Sequence, residues 1–156
     1  MESVKFSQTI TINSSQEDIF DYTQDYDQRL SWDTFLKTAK LIGGATKAGK
    51  GIKAYCVAKN GFGMETEYIT FNRPKVTAIK MTEGPLMFKS FLGSWTFKKI
   101  QPNSTEVTFL YSFKLRFPFS IAKKMVKRNL ESNVKQRLVD LKNNIDSITP
   151  SGNKNS

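Results

Sequence analysis

The chain opens on an alternating segment. Val4, Phe6, Ile10 and Ile12 share one parity, with Gln8 among them, which is the period of a half-buried strand. Ser15 stands three residues before Asp18 in the manner of a capping box, and Ile19, Phe20 and Tyr22 follow on a short helix. A second helical stretch over about 26–35 carries Leu30, Trp32 and Phe35. From Leu36 onward the pattern is strand after strand, over 37–42, 51–59, 64–71, 75–82, 88–100 and 105–117. The separators are turn chemistry: Gly43-Gly44, Asn60-Gly61, Asn72-Arg73-Pro74, Gly84-Pro85 and Pro102-Asn103-Ser104. Connections this short imply an antiparallel meander. In the last strand Val107, Phe109, Tyr111, Phe113, Leu115 and Phe117 face one way, and Thr108, Leu110, Ser112, Lys114 and Arg116 face the other.

A long helix closes the pattern. Pro118 sits at its start, where a missing N–H does no harm. Ile121, Met125, Leu130, Val134, Leu138, Leu141, Ile145 and Ile148 recur mostly three or four apart. They predict one apolar face over about 30 residues, or ~45 Å at the α-helical rise. The other faces are assigned Lys123, Lys124, Lys127, Arg128, Lys135, Arg137 and Lys142. Residues 149–156 read as a loose tail, which leaves one domain over 1–148.

Composition narrows the chemistry. A chain of 156 residues suits one domain and can bury a sizeable core. It contains no histidine, which removes Ser-His-Asp and Cys-His catalysis, His-based zinc sites and the usual proton shuttle near neutral pH. The single cysteine, Cys56, excludes an internal disulfide framework and reads as a buried, inert thiol. No metal or other cofactor is expected. No apolar run reaches the length of a membrane span, and the N-terminus lacks the basic start and apolar stretch of a secretory signal, so the expectation is a cytoplasmic protein.

The net charge of +10 is unevenly spread: residues 1–33 carry seven acids against Lys5 and Arg29, a balance of −5, and the remainder carries +15. Such a field draws anionic partners, yet only five of the 24 basic residues are arginine. Nucleic acid is disfavoured, because the apolar face of the basic helix is needed for the core and the aromatics sit inside strands. The stretch from Gly44 to Lys50 matches G-x-x-x-x-G-K, but Gly51 stands where a phosphate-binding loop needs Ser or Thr, and a strand rather than a helix follows.

A strand, two short helices, about six antiparallel strands and a long amphipathic helix make up an α+β helix-grip fold, in which a strongly bent sheet of about seven strands wraps the C-terminal helix. The chain resembles the START-like, or SRPBCC, superfamily of polyketide cyclase/dehydrase-like and lipid-transfer proteins. The resemblance spans about residues 3–147. It is carried by Ile10-Thr11-Ile12-Asn13 before Ser15, Ile19-Phe20-Asp21-Tyr22, Trp32-Asp33, Gly49-Lys50-Gly51, Asn72-Arg73-Pro74, Trp95-Thr96-Phe97 and Ser104-Thr105-Glu106-Val107-Thr108. It implies a cavity between sheet and helix that takes a small hydrophobic or amphipathic molecule, and the surrounding positive charge admits an anionic one.

The residues expected to bind that ligand are Trp32, Tyr55, Phe91, Trp95, Phe109, Tyr111, Met125 and Asn129, with Gly93 marking withheld side-chain volume and Arg29 at the cavity mouth. Arg29 and Asp33 are also spaced for a surface ion pair on a helix. Glu65 and Glu67 share a face; if Ile69 and Phe71 point inward the two carboxylates enter the cavity, and Glu67 becomes a candidate acid or base. The opposite phase buries Met64 and Tyr68 and leaves the glutamates solvated. Three functions follow. The first is binding or transport without catalysis. The second is a cyclase or isomerase using Glu67, a tyrosine or an ordered water. The third is a protein-interaction module like the superfamily's chaperone co-regulators, which predicts a filled core. A monomer or weak dimer is expected.

Overall fold

Seven hydrogen-bonded strands form the largest part of the regular structure in the computed structural model, which describes residues 3–148. The tail expected at 149–156 lies outside the described residues. The elements are β1 (Val4–Ile12), α1 (Gln16–Gln24), α2 (Arg29–Trp32), β2 (Leu36–Leu41), β3 (Lys53–Ala58), β4 (Gly63–Asn72), β5 (Val76–Glu83), β6 (Phe88–Gln101), β7 (Ser104–Leu115) and α3 (Lys123–Ile148). Every strand pairing is antiparallel, in the order β1-β7-β6-β5-β4-β3-β2, so the meander runs from β2 to β7 and β1 closes on β7. The curled half-barrel packs against α3 along β1 and β7. This is the expected helix-grip fold.

Local chemistry explains the boundaries. Ser15 caps α1 through a hydrogen bond from the Asp18 N–H to its hydroxyl, 3.1 Å long. Burial in β7 alternates without a break from Ser104 to Leu115, as its sequence demands. β3 starts two residues later than expected because Gly51 adopts φ +84°, a left-handed conformation that ends the extended run. The second helix is one turn, Arg29–Trp32, rather than ten residues.

The long helix needs a larger correction. Pro118 leads into a single 3-10 turn, Phe119–Ala122, and α3 begins only at Lys123. Ile121, in that turn, is 78% exposed, and Met125 and Ile148 are exposed as well. The inward stripe is Val126, Leu130, Val134, Leu138, Leu141 and Ile145, regularly three or four apart. Met125 stands about 100° round the helix from it, at an irregular spacing of five from Leu130. Arg137, assigned to an outer face, falls inside this stripe and is buried.

The core is one cluster joining the first helix, the inner faces of β1, β6 and β7, and the C-terminal two-thirds of α3. Aromatic rings interlock through it: Trp95 stacks on Phe109 with centroids 4.2 Å apart, and Phe91 meets Tyr111 edge-on at 4.6 Å. Such pairs add roughly 0.5–1.5 kcal/mol each beyond area burial. The core nevertheless stops short of filling the space beneath the N-terminal half of α3.

Candidate functional site

That space is a cavity of about 430 Å³. Each strand from β2 to β7 contributes inward-facing side chains to it, the segment between α1 and α2 covers one end, and Val126, Asn129, Leu130, Asn133 and Arg137 of α3 form its roof. The apolar wall is Phe88, Phe91, Trp95 and Phe109 with Ile79 and Met87; the polar end is Gln24, Tyr26, Arg29, Tyr68, Tyr111 and Arg137. Gly93 sits where β6 faces Tyr111 of β7. A Cβ there would lie 3.1 Å from the Tyr111 ring and 3.3 Å from Ile79, so glycine lets the tyrosine lie flat across the strand.

That placement carries the Tyr111 hydroxyl to the centre of the polar end, where it accepts a 2.7 Å hydrogen bond from Nη1 of Arg137. The other side of the same guanidinium makes a two-pronged pair with Asp33, Nε to Oδ1 at 3.0 Å and Nη2 to Oδ2 at 2.8 Å. Arg29, one helical turn before Asp33, donates Nε to Oδ2 at 2.8 Å, and the Phe35 N–H approaches Oδ1 at 3.3 Å. Asp33 is wholly buried, and Arg29 and Arg137 are 7% and 4% exposed. Burial alone would push the Asp33 carboxyl up; the Arg137 and Arg29 guanidiniums and their hydrogen bonds outweigh it and hold the group at about 2. Burial opposes charge on both arginines too, and Asp33 more than restores it, so both stay protonated. With four donors on it, Asp33 has no free lone pair facing the cavity and is not a base.

The neighbouring hydroxyls are proton holders. Tyr68 donates to Oε1 of the buried Gln24 at 2.7 Å and lies 3.3 Å from the Tyr26 hydroxyl. Burial pushes Tyr68 well above the ordinary tyrosine value and raises Tyr26, so both are neutral hydrogen-bond donors or acceptors near pH 7. Cys56, also on the wall, is raised by burial and holds its proton. Among the described residues no group of three or more His, Cys, Asp or Glu side chains is placed to hold a metal ion.

Of the residues expected to meet a ligand, Phe91, Trp95, Phe109, Tyr111 and Asn129 line the cavity. Met125 does not, for the helical-phase reason above. Tyr55 points from the convex face of β3, with its hydroxyl over Gly63, because Cys56 and Ala58 occupy the inward parity. Trp32 lies behind the wall, edge-on to Trp95 at 5.9 Å, and supports it. Glu67 is outside as well: Met64, Thr66 and Tyr68 face the cavity, and Glu67 stands between Lys53 and Lys80 on the outer face. A register shift between Tyr68 and Thr70 turns Phe71 inward too, against Phe20 and Tyr68, so the two parities of β4 do not stay on separate faces. Arg29 is neither at an open mouth nor in a surface pair; it belongs to the buried triad. Arg137, Tyr26, Gln24 and Tyr68 were not among the expected site residues. Arg137 had a visible signal, a cation on an apolar stripe.

A family model described as polyketide cyclase / dehydrase and lipid transport matches residues 3–146. The chain belongs to that family. Solved structures agree on the fold. The Zhui aromatase/cyclase from Streptomyces sp. R1128 superposes with a TM-score of 0.81 at 12% identity, over 97% of this chain and 98% of that one. A START superfamily protein from Mycobacterium smegmatis gives 0.77 at 13% identity, over 92% and 98%. A protein from Thermus thermophilus gives 0.79 at 15% identity, over 94% and 100%. No curated protein matches the sequence. Membership of the polyketide cyclase / dehydrase and lipid transport family, together with this fold, supports a ligand-binding or polyketide cyclase-like role. Among the described residues no helix is long and apolar enough to cross a membrane.

Proposed function

We propose that this member of the polyketide cyclase / dehydrase and lipid transport family binds and carries a small amphipathic molecule in the cavity under α3. The observation that carries the reading is the division of that cavity. One side is an aromatic wall of Phe88, Phe91, Trp95 and Phe109; the charged and phenolic groups, Arg29, Arg137, Tyr26, Tyr68 and Tyr111, gather at the other, and Asn129 and Asn133 add amides in the roof. Mostly apolar walls with a few convergent polar groups are what a small-molecule site needs. The unfilled volume of about 430 Å³ argues against a protein-interaction module with a packed core.

Binding is favoured over proton transfer by the inventory of the wall. Among the described residues it holds no carboxylate, Tyr26 and Tyr68 keep their protons, and Asp33 behind it is saturated by two arginines and the Phe35 N–H. A cyclase working here would rely on a tyrosine or an ordered water, since Glu67 points outward.

The test is to purify the protein gently, record a native mass spectrum and extract the sample for small-molecule analysis. A stoichiometric apolar or amphipathic compound is expected. Protein that carries none, and that also fails to take up the neutral dye Nile red, contradicts the proposal.

A further inference from the structure

The polar end of the cavity has a charge imbalance. Two guanidiniums, Arg29 and Arg137, stand against one carboxylate, Asp33, and the described residues of the cavity wall add no second acid. All three groups are withdrawn from solvent, the least buried being 7% exposed. The set therefore carries one uncompensated positive charge where bulk solvent screens it little, an arrangement that proteins rarely keep without a partner ion.

The two cations are not equivalent. Arg137 engages all three of its nitrogens, with the Nε and Nη2 edge of its guanidinium on Asp33 and Nη1 on Tyr111. Arg29 gives Asp33 only its Nε. The rest of its guanidinium lies over the Tyr26 ring at 5.7 Å and the Trp32 ring at 5.2 Å, and the residue lines the cavity. A bound anion would meet Arg29 on the cavity side, with the neutral hydroxyls of Tyr26 and Tyr68 beside it.

Resting on the ligand-cavity reading above, we infer that Arg29 heads an anion subsite, and that the ligand is an amphiphile with one negatively charged group of carboxylate size. Its apolar body lies along Phe91, Trp95 and Phe109. A single charge is specified because it neutralises the set, whereas a doubly charged head would leave a buried net negative charge. A cationic head is disfavoured for the same reason. A hydrogen bond to a charged group corresponds to roughly tenfold to a hundredfold in affinity, which sets the size of the expected preference.

The experiment compares dodecanoate, dodecanol and dodecylammonium, three ligands of one chain length, as competitors of Nile red at pH 8 and below their micelle concentrations. Dodecanoate is expected to displace the dye at roughly tenfold lower concentration than dodecanol, and dodecylammonium to be the weakest. In Arg29→Met the ratio of acid to alcohol is expected to fall to within about threefold, and in Arg29→Lys, which keeps a cation as a point charge, to survive in part. Equal displacement by dodecanoate and dodecanol in the unaltered protein overturns the inference while leaving the carrier reading in place, and needs no variant to fold. An undiminished acid preference in Arg29→Met overturns it as well. If Nile red binds but none of the three compounds displaces it, the anion subsite fails. If the dye does not bind at all, the ligand-cavity reading fails with it.

Discussion

Replacing Asp33 by asparagine removes one negative charge from between two arginines at almost constant volume. Four donors converge on this carboxylate, two nitrogens of Arg137, the Nε of Arg29 and the Phe35 N–H. In the variant an amide NH2 would face a guanidinium, and two buried cations would stand without a counter-charge. Breaking a buried ion pair by deleting one partner costs about 3–5 kcal/mol. The titration behaviour supplies a lower figure. A carboxyl held at about 2 instead of the ordinary 3.8 contributes about 2 kcal/mol to folding, since Asp33 is wholly buried and unscreened. The lower figure counts protonation alone, and the higher one includes the misplaced amide.

Together they place the loss at about 2–5 kcal/mol, or a fall in Tm of roughly 4–20 °C for a chain of this length. The pH dependence has a definite sign. Because the folded-state value lies below the ordinary one, the contribution is fully present above about pH 5 and disappears as the pH falls through 4 toward 2. Thermal unfolding followed by circular dichroism at pH 7, 5, 4 and 3 should therefore show a wide gap between the two proteins that narrows with acid. A Tm within about 2 °C of the unaltered protein at pH 7 refutes the reasoning, as does a gap that stays constant down to pH 3.

Three further outcomes are expected. Gly93→Val drives a branched side chain into the Tyr111 ring, already 3.1 Å from a Cβ, and displaces its hydroxyl from Arg137; urea unfolding should show a loss of about 1–3 kcal/mol, and Nile red uptake should weaken markedly. Glu67→Gln, on the outer face between Lys53 and Lys80, should change stability by less than about 0.5 kcal/mol and leave dye uptake as it was; a loss of uptake would put that carboxylate back at the cavity. The Cys56 thiol, raised by burial in the cavity wall, should react with iodoacetamide at pH 7.5 more slowly than free cysteine, and more slowly still with Nile red bound; a rate like that of free cysteine, indifferent to the dye, would place it elsewhere.

The fold was legible because its signals are local. The unbroken alternation of β7, the Ser15 cap and the turn residues between strands each depend on a few neighbouring positions, and their order specifies the helix grip. The cavity wall followed where strand parity held, as at Phe91, Trp95, Phe109 and Tyr111. Parity failed at β4 because the register shift between Tyr68 and Thr70 lies in hydrogen-bond pairing with β5, which the residue pattern does not show. On α3 the apolar pattern misleads by one residue: it puts Met125 on the stripe that Val126 occupies, although the spacing of five to Leu130 is a warning.

The triad was half-visible. Arg29 and Asp33 announce themselves as an i, i+4 pair, but what turns a surface pair into a buried charged cluster is Arg137, 104 residues beyond Asp33. A cation among Val134, Leu138 and Leu141 is the sequence signature of such a partner.

The most direct test of the ligand-carrying cavity uses its own fluorophore. Trp95 lines the cavity and Trp32 lies behind it. Titrating the protein with a brominated long-chain alcohol, a contact quencher of indole, should give saturable quenching at one molecule per chain. The saturable part should be largely lost in Trp95→Phe. Quenching that rises linearly without saturation, and equally in both proteins, would contradict the account.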